Sequence, residues 1–129
     1  DDSGIEIDAL GGRPGVISAR YAGLECDDEA NNDKVLAELE GVPVSERGGR
    51  FRCVLALVGE GVEETFSGNC EGILLEERKG TGGFGYDPLF HPVESVFTFA
   101  EIPSEEKAKI SHRARALTKL ISWLKQQDV

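Results

Sequence analysis

Cysteine and long hydrophobic runs are scarce in this sequence. The three cysteines, Cys26, Cys53 and Cys70, are odd in number and far apart, which argues against a disulfide framework and against the close cysteine pairs of a zinc site. No run of about 18 apolar residues occurs, as a membrane span would require, and the first residues lack the apolar stretch of a secretory signal. We therefore expect a cytoplasmic protein whose 129 residues form a single domain, 1–129.

Positive charge is also in short supply. The chain has 14 basic and 24 acidic residues, a formal net charge of -10, which argues against general binding to duplex nucleic acid. A small anionic ligand is still compatible with this balance, because the basic residues are unevenly distributed. No acid occurs from Lys107 to Gln127, whereas that stretch holds Lys107, Lys109, Arg113, Arg115, Lys119 and Lys125. The sequence therefore predicts a local positive face on an acidic protein.

The apolar pattern predicts an α/β fold with a mixed, largely antiparallel sheet and flanking helices. Alternating apolar residues over 5–10 predict a short strand. The stretch 51–58 is almost continuously apolar, which predicts a central strand covered on both faces. A tight turn then leads into an antiparallel partner over about 62–77, with a bulge or bend expected near Gly68 and Gly72.

Two stretches carry helix signals. Acidic residues precede an apolar stripe over about 27–40, and Gly41 and Pro43 end it. The stronger helix pattern lies near the C-terminus, where apolar residues recur at three- and four-residue spacing at Ile110, Ala114, Leu117, Ile121 and Leu124. We expect that apolar face to dock on the sheet, with Trp123 covering an edge.

The segment 80–88 reads Gly-Thr-Gly-Gly-Phe-Gly-Tyr-Asp-Pro and is called the glycine-rich segment below. Glycine allows a close approach to a ligand or a positive φ, and the ring of Phe84 or Tyr86 offers a flat apolar face to a planar ligand such as a nucleobase. Asp87 places a carboxylate at the turn. The alternative is a mobile hairpin connection, since no Walker lysine and no complete dinucleotide fingerprint follows.

Two polar clusters have possible roles in anion or metal binding. Ser111 can cap the C-terminal helix, so that His112 and Arg113 project from a helix N-terminus that attracts anions. The chain begins Asp-Asp-Ser-Gly ahead of a strand, and adjacent carboxylates such as Asp1 and Asp2 can hold a divalent cation. The alternatives are surface decoration for the first cluster and a frayed acidic terminus for the second.

Three motifs together resemble a known family. They are the stretch 1–23, which begins Asp-Asp-Ser-Gly-Ile-Glu-Ile-Asp, the glycine-rich segment, and Glu-Lys-Ala-Lys-Ile-Ser-His-Arg over 106–113. In this order they look like the inosine triphosphate pyrophosphatase family, and the resemblance covers essentially the whole chain. Asn32-Asp33 and the stretch 97–101 also fall where that family has related residues.

The resemblance implies an enzyme that hydrolyses non-standard purine nucleoside triphosphates, ITP, dITP and XTP, to the monophosphate and pyrophosphate. It also implies a magnesium cofactor and a homodimer. By position, Asp2 would be the catalytic base or metal-linked activator of the attacking water, with Asp1 as its supporting metal ligand. The substrate-binding residues implied by the resemblance are Ser3, Phe84, Tyr86, Asp87, Lys107, His112 and Arg113, with Phe84 stacked on the purine.

The family also carries a phosphate-binding motif ahead of the Asp-Asp-Ser-Gly segment, and these 129 residues do not include it. We therefore expect an N-terminally truncated form of the fold that retains the residues for reading the base. This leaves an alternative to the enzyme: a non-catalytic homologue that binds purine nucleotides or only dimerises.

Overall fold

The computed structural model of the protein describes residues 2–59 and 61–127, with only the backbone described at Asp2. Its centre is a five-stranded sheet in the order β2-β1-β3-β4-β5. The strands are β1 (Asp2–Ile7), β2 (Pro14–Gly15), β3 (Gly48–Gly59), β4 (Val62–Leu74) and β5 (Phe90–Pro92). The α-helices are α1 (Asp28–Glu38), α2 (Ser104–Ile110) and α3 (His112–Gln127). Short 3-10 helices occupy Asp8–Leu10, Ser18–Arg20, Val44–Glu46 and Asp87–Leu89.

The α/β prediction is confirmed, and each pairing among the described strands is antiparallel. The strand β3 is central, as expected, and pairs with β4 along its full length from Gly48 opposite Ile73 to Gly59 opposite Val62. None of the helices among residues 2–59 and 61–127 is both long and apolar enough to span a membrane.

The prediction that β3 is covered on both faces is wrong. Along the strand, Phe51 and Cys53 are buried, Arg52 between them is exposed, and Val58 is 75% exposed. One face of the sheet, which we call the covered face, packs against the core, and the opposite face carries charged side chains such as Arg50 and Arg52. The apolar run suggested two covered faces because apolar and polar residues alternate only in the first half of β3.

The expected bulges near Gly68 and Gly72 are also absent from β4, whose register with β3 is continuous through both positions. These glycines instead allow close packing of backbone. A Cβ added at Gly68 would lie 2.2 Å from the carbonyl oxygen of His112, and one at Gly72 would lie 2.5 Å from that of His91. Gly68 therefore lets the first turns of α3 rest directly on the sheet.

The helix α3 docks through a different face from the one predicted. Ala116 is fully buried, whereas Leu117, Ile121 and Leu124 are 46%, 43% and 45% exposed. The contact at Gly68 rotates the helix so that the residues near His112 and Ala116 face the sheet. Trp123 does cover part of the sheet, with its ring centroid 6.1 Å from that of Phe66 on β4.

The helix α1 closes the other end of the covered face. Asp27 caps it by accepting a hydrogen bond from the Ala30 amide at 3.3 Å, and Val35 and Leu39 are fully buried in the core. Between α1 and α3, the chain following β4 folds back as the glycine-rich segment. The core thus brings α1, the glycine-rich segment and the start of α3 onto one side of the sheet.

Candidate functional site

A hollow of about 160 Å³ lies on the covered face, between the start of β1, the glycine-rich segment and the N-terminus of α3. Residues that are up to 110 positions apart in the chain, such as Ser3 and Arg113, line it together. Its lining includes every predicted substrate-binding residue: Ser3, Phe84, Tyr86, Asp87, Lys107, His112 and Arg113. The structure therefore brings these side chains to one place, although their roles stay predictions.

The glycine-rich segment is fastened to its surroundings rather than left as an open hairpin. The Gly82 amide donates to the Ala100 carbonyl at 3.0 Å, and the Lys79 amide donates to the Pro88 carbonyl at 2.9 Å. Gly83 has a φ of +70°, and a Cβ there would lie 2.1 Å from the Asp87 carboxylate. The turn therefore requires glycine at position 83, and it presents the Phe84 ring with 63% of its residue surface exposed.

Asp87 and Lys107 form a buried ion pair beneath Phe84. The Lys107 ammonium donates to the Asp87 carboxylate at 2.6 Å, and the two side chains are only 18% and 4% exposed. The same carboxylate oxygen accepts a hydrogen bond from the Phe84 amide at 3.1 Å. The Lys107 nitrogen also lies 4.4 Å from the centroid of the Phe84 ring, within the range of a cation–π interaction. One carboxylate thus places both a cation and an aromatic ring at the hollow.

Tyr86 lines the hollow and anchors the glycine-rich segment through its hydroxyl. It is 4% exposed, and its hydroxyl donates to the Ser18 carbonyl at 2.5 Å. Burial, with smaller contributions from Tyr21 and Asp28, raises the pKa of the phenol above its usual range, so the hydroxyl stays protonated as a donor. Ser18 in turn accepts from the Ile5 amide at 2.9 Å through its hydroxyl oxygen and donates to the Gly15 carbonyl at 2.5 Å. Ser18 therefore ties the glycine-rich segment to β1.

His112 begins α3 with a neutral imidazole. Its ring stacks on Phe51 at a centroid distance of 5.0 Å and an interplanar angle of 16°. Burial lowers the pKa of His112 to about 4, with further lowering by Arg113 and Lys107. Its Nδ1 is buried without a hydrogen-bond partner among the residues that the structure describes. The predicted cap of α3 is present, since the Ala114 amide donates to the Ser111 hydroxyl at 3.1 Å.

The predicted catalytic and metal-binding carboxylates, Asp1 and the side chain of Asp2, lie outside the described residues. The backbone of Asp2 pairs with Val54 on β3. Ser3 next to them accepts a hydrogen bond from Arg113 at 3.4 Å. Within residues 2–59 and 61–127, no group of three or more histidine, cysteine or acidic side chains could hold a metal ion.

Sequence reasoning missed the contribution of α1. Asp28, Asn31 and the neighbouring 3-10 helix also line the hollow, and Asn32 is 2% exposed beside it. In the sequence, Asp28 is only one of the acidic residues at the start of the helix expected over about 27–40. The signal for more was the pair Asn31-Asn32 within a helix, because amide side chains are unfavourable in a helix interior unless they have partners elsewhere.

Comparisons with known proteins agree on one family. A model of the Ham1 family matches residues 1–123. The dITP/XTP pyrophosphatase of Geobacter sulfurreducens is 53% identical over 130 residues, covering 100% of this chain and 65% of the relative. That of Bacillus subtilis is 55% identical over 125 residues, covering 96% of this chain and 63% of the relative.

Solved structures give the same result. The Staphylococcus aureus Ham1 protein matches with a TM-score of 0.95 and 38% identity, over 98% of this chain and 66% of that one. A HAM1 protein from Coxiella burnetii matches with a TM-score of 0.89 and 41% identity, over 96% of this chain and 64% of that one. The chain spans less than two thirds of the length of these two curated relatives.

Proposed function

This chain belongs to the Ham1 family, and on that premise we propose that it carries the base-binding part of a hydrolase that acts on non-standard purine nucleoside triphosphates. The substrates would be ITP, dITP and XTP, and the products the monophosphate and pyrophosphate. The names of the dITP/XTP pyrophosphatase relatives support this activity. The observation that carries the proposal is that Phe84, Lys107, His112 and Arg113 line one hollow.

The hollow adjoins a wider cavity of about 460 Å³, and the two share Phe84, Lys107, His112 and Arg113. The wider cavity falls within the roughly 300 to 1,000 Å³ of pockets that enclose a small ligand. A purine would lie against the Phe84 ring, and its sugar and phosphates would extend out of the hollow. Base–aromatic stacking of this kind contributes about 1 to 3 kcal/mol per base.

The charges around Phe84 support selection of a keto-purine. Hypoxanthine and xanthine carry an oxygen acceptor at the six position, whereas adenine carries an amino donor there. Lys107 and Arg113 can only donate hydrogen bonds, so an adenine would leave donors facing donors. An unpaired buried polar group costs about 1 to 3 kcal/mol. The hollow would therefore discriminate against adenine.

Hydrolysis would require groups at the other end of the nucleotide. Asp2, next to Ser3 at the start of β1, would activate the attacking water, and Asp1 would support it. A bound magnesium ion, with Asp2 and Asp1 as ligands, would supply neutralisation of charge on the triphosphate. Arg113 contacts Ser3 at 3.4 Å, which would hold a cation between the base and this acidic start of β1.

Assembly and location complete the proposal. A homodimer is supported by the exposed apolar residues of α3, Leu117, Ile121 and Leu124, which a second copy could cover. A reducing, cytoplasmic location is supported by the three free cysteines. Sedimentation of the purified chain tests the dimer, and a single monomeric species at all concentrations would contradict it.

Two assays on the purified chain test the proposal. The first incubates it with inosine triphosphate and magnesium and measures pyrophosphate, with Asp2→Asn as the variant. We expect release that disappears in Asp2→Asn. The second measures binding of inosine 5′-monophosphate by calorimetry, with Phe84→Ala expected to weaken it. Phe97→Ala is the matched control, because Phe97 is similarly exposed at 54% and does not line the hollow.

The outcomes separate the enzyme from its alternative. Binding that depends on Phe84, without pyrophosphate release, would identify a nucleotide-binding homologue that is not catalytic on its own. Equal binding by Phe84→Ala and Phe97→Ala would contradict the base site.

A further inference from the structure

Two side chains of α1 bond the two backbone polar groups of Gly85 in the glycine-rich segment. The Gly85 amide donates to the Asp28 carboxylate at 2.9 Å, and the Gly85 carbonyl accepts from the Asn32 side chain, also at 2.9 Å. Asp28 and Asn32 are one helical turn apart, so they occupy the same face of α1. The side-chain nitrogen Nδ2 of Asn32 also donates to the backbone carbonyl of Asp28 at 2.7 Å, which joins the two residues.

These contacts act on the residue directly after Phe84. The amide of Phe84 is held by Asp87 at 3.1 Å, and the next residue, Gly85, is held by α1. Gly85 has a φ of +59° and Gly83 a φ of +70°, so the Phe84 backbone lies between two residues in the left-handed region. With both neighbouring amides bonded, the side-chain torsions of Phe84 are the main freedom left to the ring.

Asn32 is poorly explained by stability alone. It is 2% exposed, and its Oδ1 is buried without a hydrogen-bond partner among the described residues. A buried unsatisfied acceptor destabilises the folded state. Val35 in α1 and Leu39 directly after it show that apolar side chains fill the core around α1. The feature specific to Asn32 is its reach to Gly85, 53 residues away in the chain.

We propose that Asp28 and Asn32 are positioning residues that hold the backbone of Gly85 so that the Phe84 ring is preorganised to stack on a planar base. This inference rests on the proposed function. Phe84 is an exposed ring, and an exposed ring that is free to move must be ordered when a ligand binds, which weakens affinity. Fixing the backbone before binding removes part of that cost. Neither residue needs to touch the ligand for this effect.

The test titrates inosine 5′-monophosphate into the wild type and single variants by calorimetry. We expect Asn32→Ala and Asp28→Ala to bind about five- to tenfold more weakly, as for the loss of one hydrogen bond. Asp28→Asn keeps an acceptor oxygen for the Gly85 amide and should restore most of the affinity. Glu29→Ala is the matched control, because it removes another acid from the first turn of α1 that does not contact Gly85.

A double-mutant cycle separates positioning from a structural defect. In the Phe84→Ala background, Asn32→Ala should have no further effect on affinity, because there is no ring left to position. Equal weakening by Asn32→Ala with and without Phe84 would overturn the proposal. The proposal would also be overturned if Asn32→Ala bound inosine 5′-monophosphate as tightly as the wild type while Phe84→Ala bound it more weakly. That outcome would leave the base site itself intact.

A measurement without ligand distinguishes failure of this inference from failure of the proposed function. Hydrogen exchange of peptides covering 80–88 should be faster in Asn32→Ala than in the wild type, while peptides from β3 stay unchanged. If the wild type binds no inosine 5′-monophosphate, the proposed function fails and the ligand part of the inference fails with it. If exchange over 80–88 is also unchanged, the grip of α1 on the glycine-rich segment is itself disproved.

Discussion

The two faces of the sheet use charge in different ways. On the covered face, Lys107 and Asp87 form a pair that is mostly shielded from water, and it fixes Phe84. On the exposed face, Arg50 contacts Glu71 at 2.9 Å, Asp8 at 3.0 Å and Glu6 at 3.6 Å, with each acid 30–58% exposed. An exposed pair contributes little because water competes for both charges, whereas breaking a buried pair leaves a charge without compensation. Charges on the covered face therefore set geometry, and those on the exposed face mainly solvate the sheet.

The largest effect is expected where α3 meets the covered face. Gly68→Val would place its Cβ against the backbone of His112 and Ala116, at 2.2 and 2.4 Å, so the helix must move. We expect a loss of about 3 kcal/mol in the free energy of unfolding, measured by chemical denaturation. Gly59→Ala is the control in the neighbouring strand, because an added Cβ there meets no heavy atom within 4 Å among the described residues beyond its own chain neighbours. Similar stability of the two variants would show that α3 is not seated on Gly68.

The second prediction compares ion pairs on the two faces. Lys107→Met leaves the Asp87 carboxylate buried without its cation, and we expect a loss of about 2 kcal/mol in the free energy of unfolding. Arg52→Met removes one of the two basic partners of Glu6, at 3.7 Å on the exposed face, where the side chains are 49% and 30% exposed, and should cost less than about 1 kcal/mol. Equal losses in denaturation would remove the distinction between the faces.

The third prediction concerns acid. The pKa of His112 is about 4 in the folded protein, below the value of about 6.5 for an unperturbed histidine. Between these values the unfolded state binds more protons, so the folded state loses stability as the pH falls. The loss from His112 should be about 1 kcal/mol between about pH 7 and about pH 5.5.

Denaturation at a series of pH values measures this loss. His112→Gln should show a shallower fall in stability over that range than the wild type, even if its stability at neutral pH is lower. His91→Gln removes the other histidine and serves as the control. A wild-type slope retained in His112→Gln would contradict the assignment of the acid sensitivity to the covered face.

The smallest effect on stability is expected on the outer side of α3. Ile121 is 43% exposed, so Ile121→Ser should change the free energy of unfolding by less than about 0.5 kcal/mol. If a second copy covers this stripe, the same variant should shift the chain toward monomer in sedimentation. A buried residue of the same helix, as in Ala116→Ser, is not expected to change association. An unaltered dimer in Ile121→Ser would place the proposed interface elsewhere.

The sequence predicted the parts of the fold that local patterns determine. The helix near 27–40, the central position of β3 and its antiparallel pairing with β4 are confirmed by the structure. The prediction of the docked face of α3 was wrong, because Gly68, a residue on another element, decides which side of the helix approaches the sheet. A helical periodicity records which residues are apolar, and it does not record where a missing side chain allows close approach.

The candidate site shows the same division between features that local motifs predict and features that depend on contacts between distant elements. Motif resemblance identified seven of the residues that line the hollow, from Ser3 to Arg113. It placed Asn32 at a position of the family pattern without giving it a role, and it did not identify Asp28, because their contacts to Gly85 join segments more than 50 residues apart. Such contacts depend on tertiary structure, so a single sequence shows only an unexplained amide in a helix.

Ser18 connects the two ends of the proposed nucleotide site. Its carbonyl accepts from Tyr86 in the glycine-rich segment, and its hydroxyl oxygen accepts from the Ile5 amide in the strand that begins at Asp2. A base placed on Phe84 would therefore lie at a fixed distance from the backbone where β1 begins. In the proposed reaction, this fixed separation would determine which phosphate of the bound nucleotide lies at the start of β1.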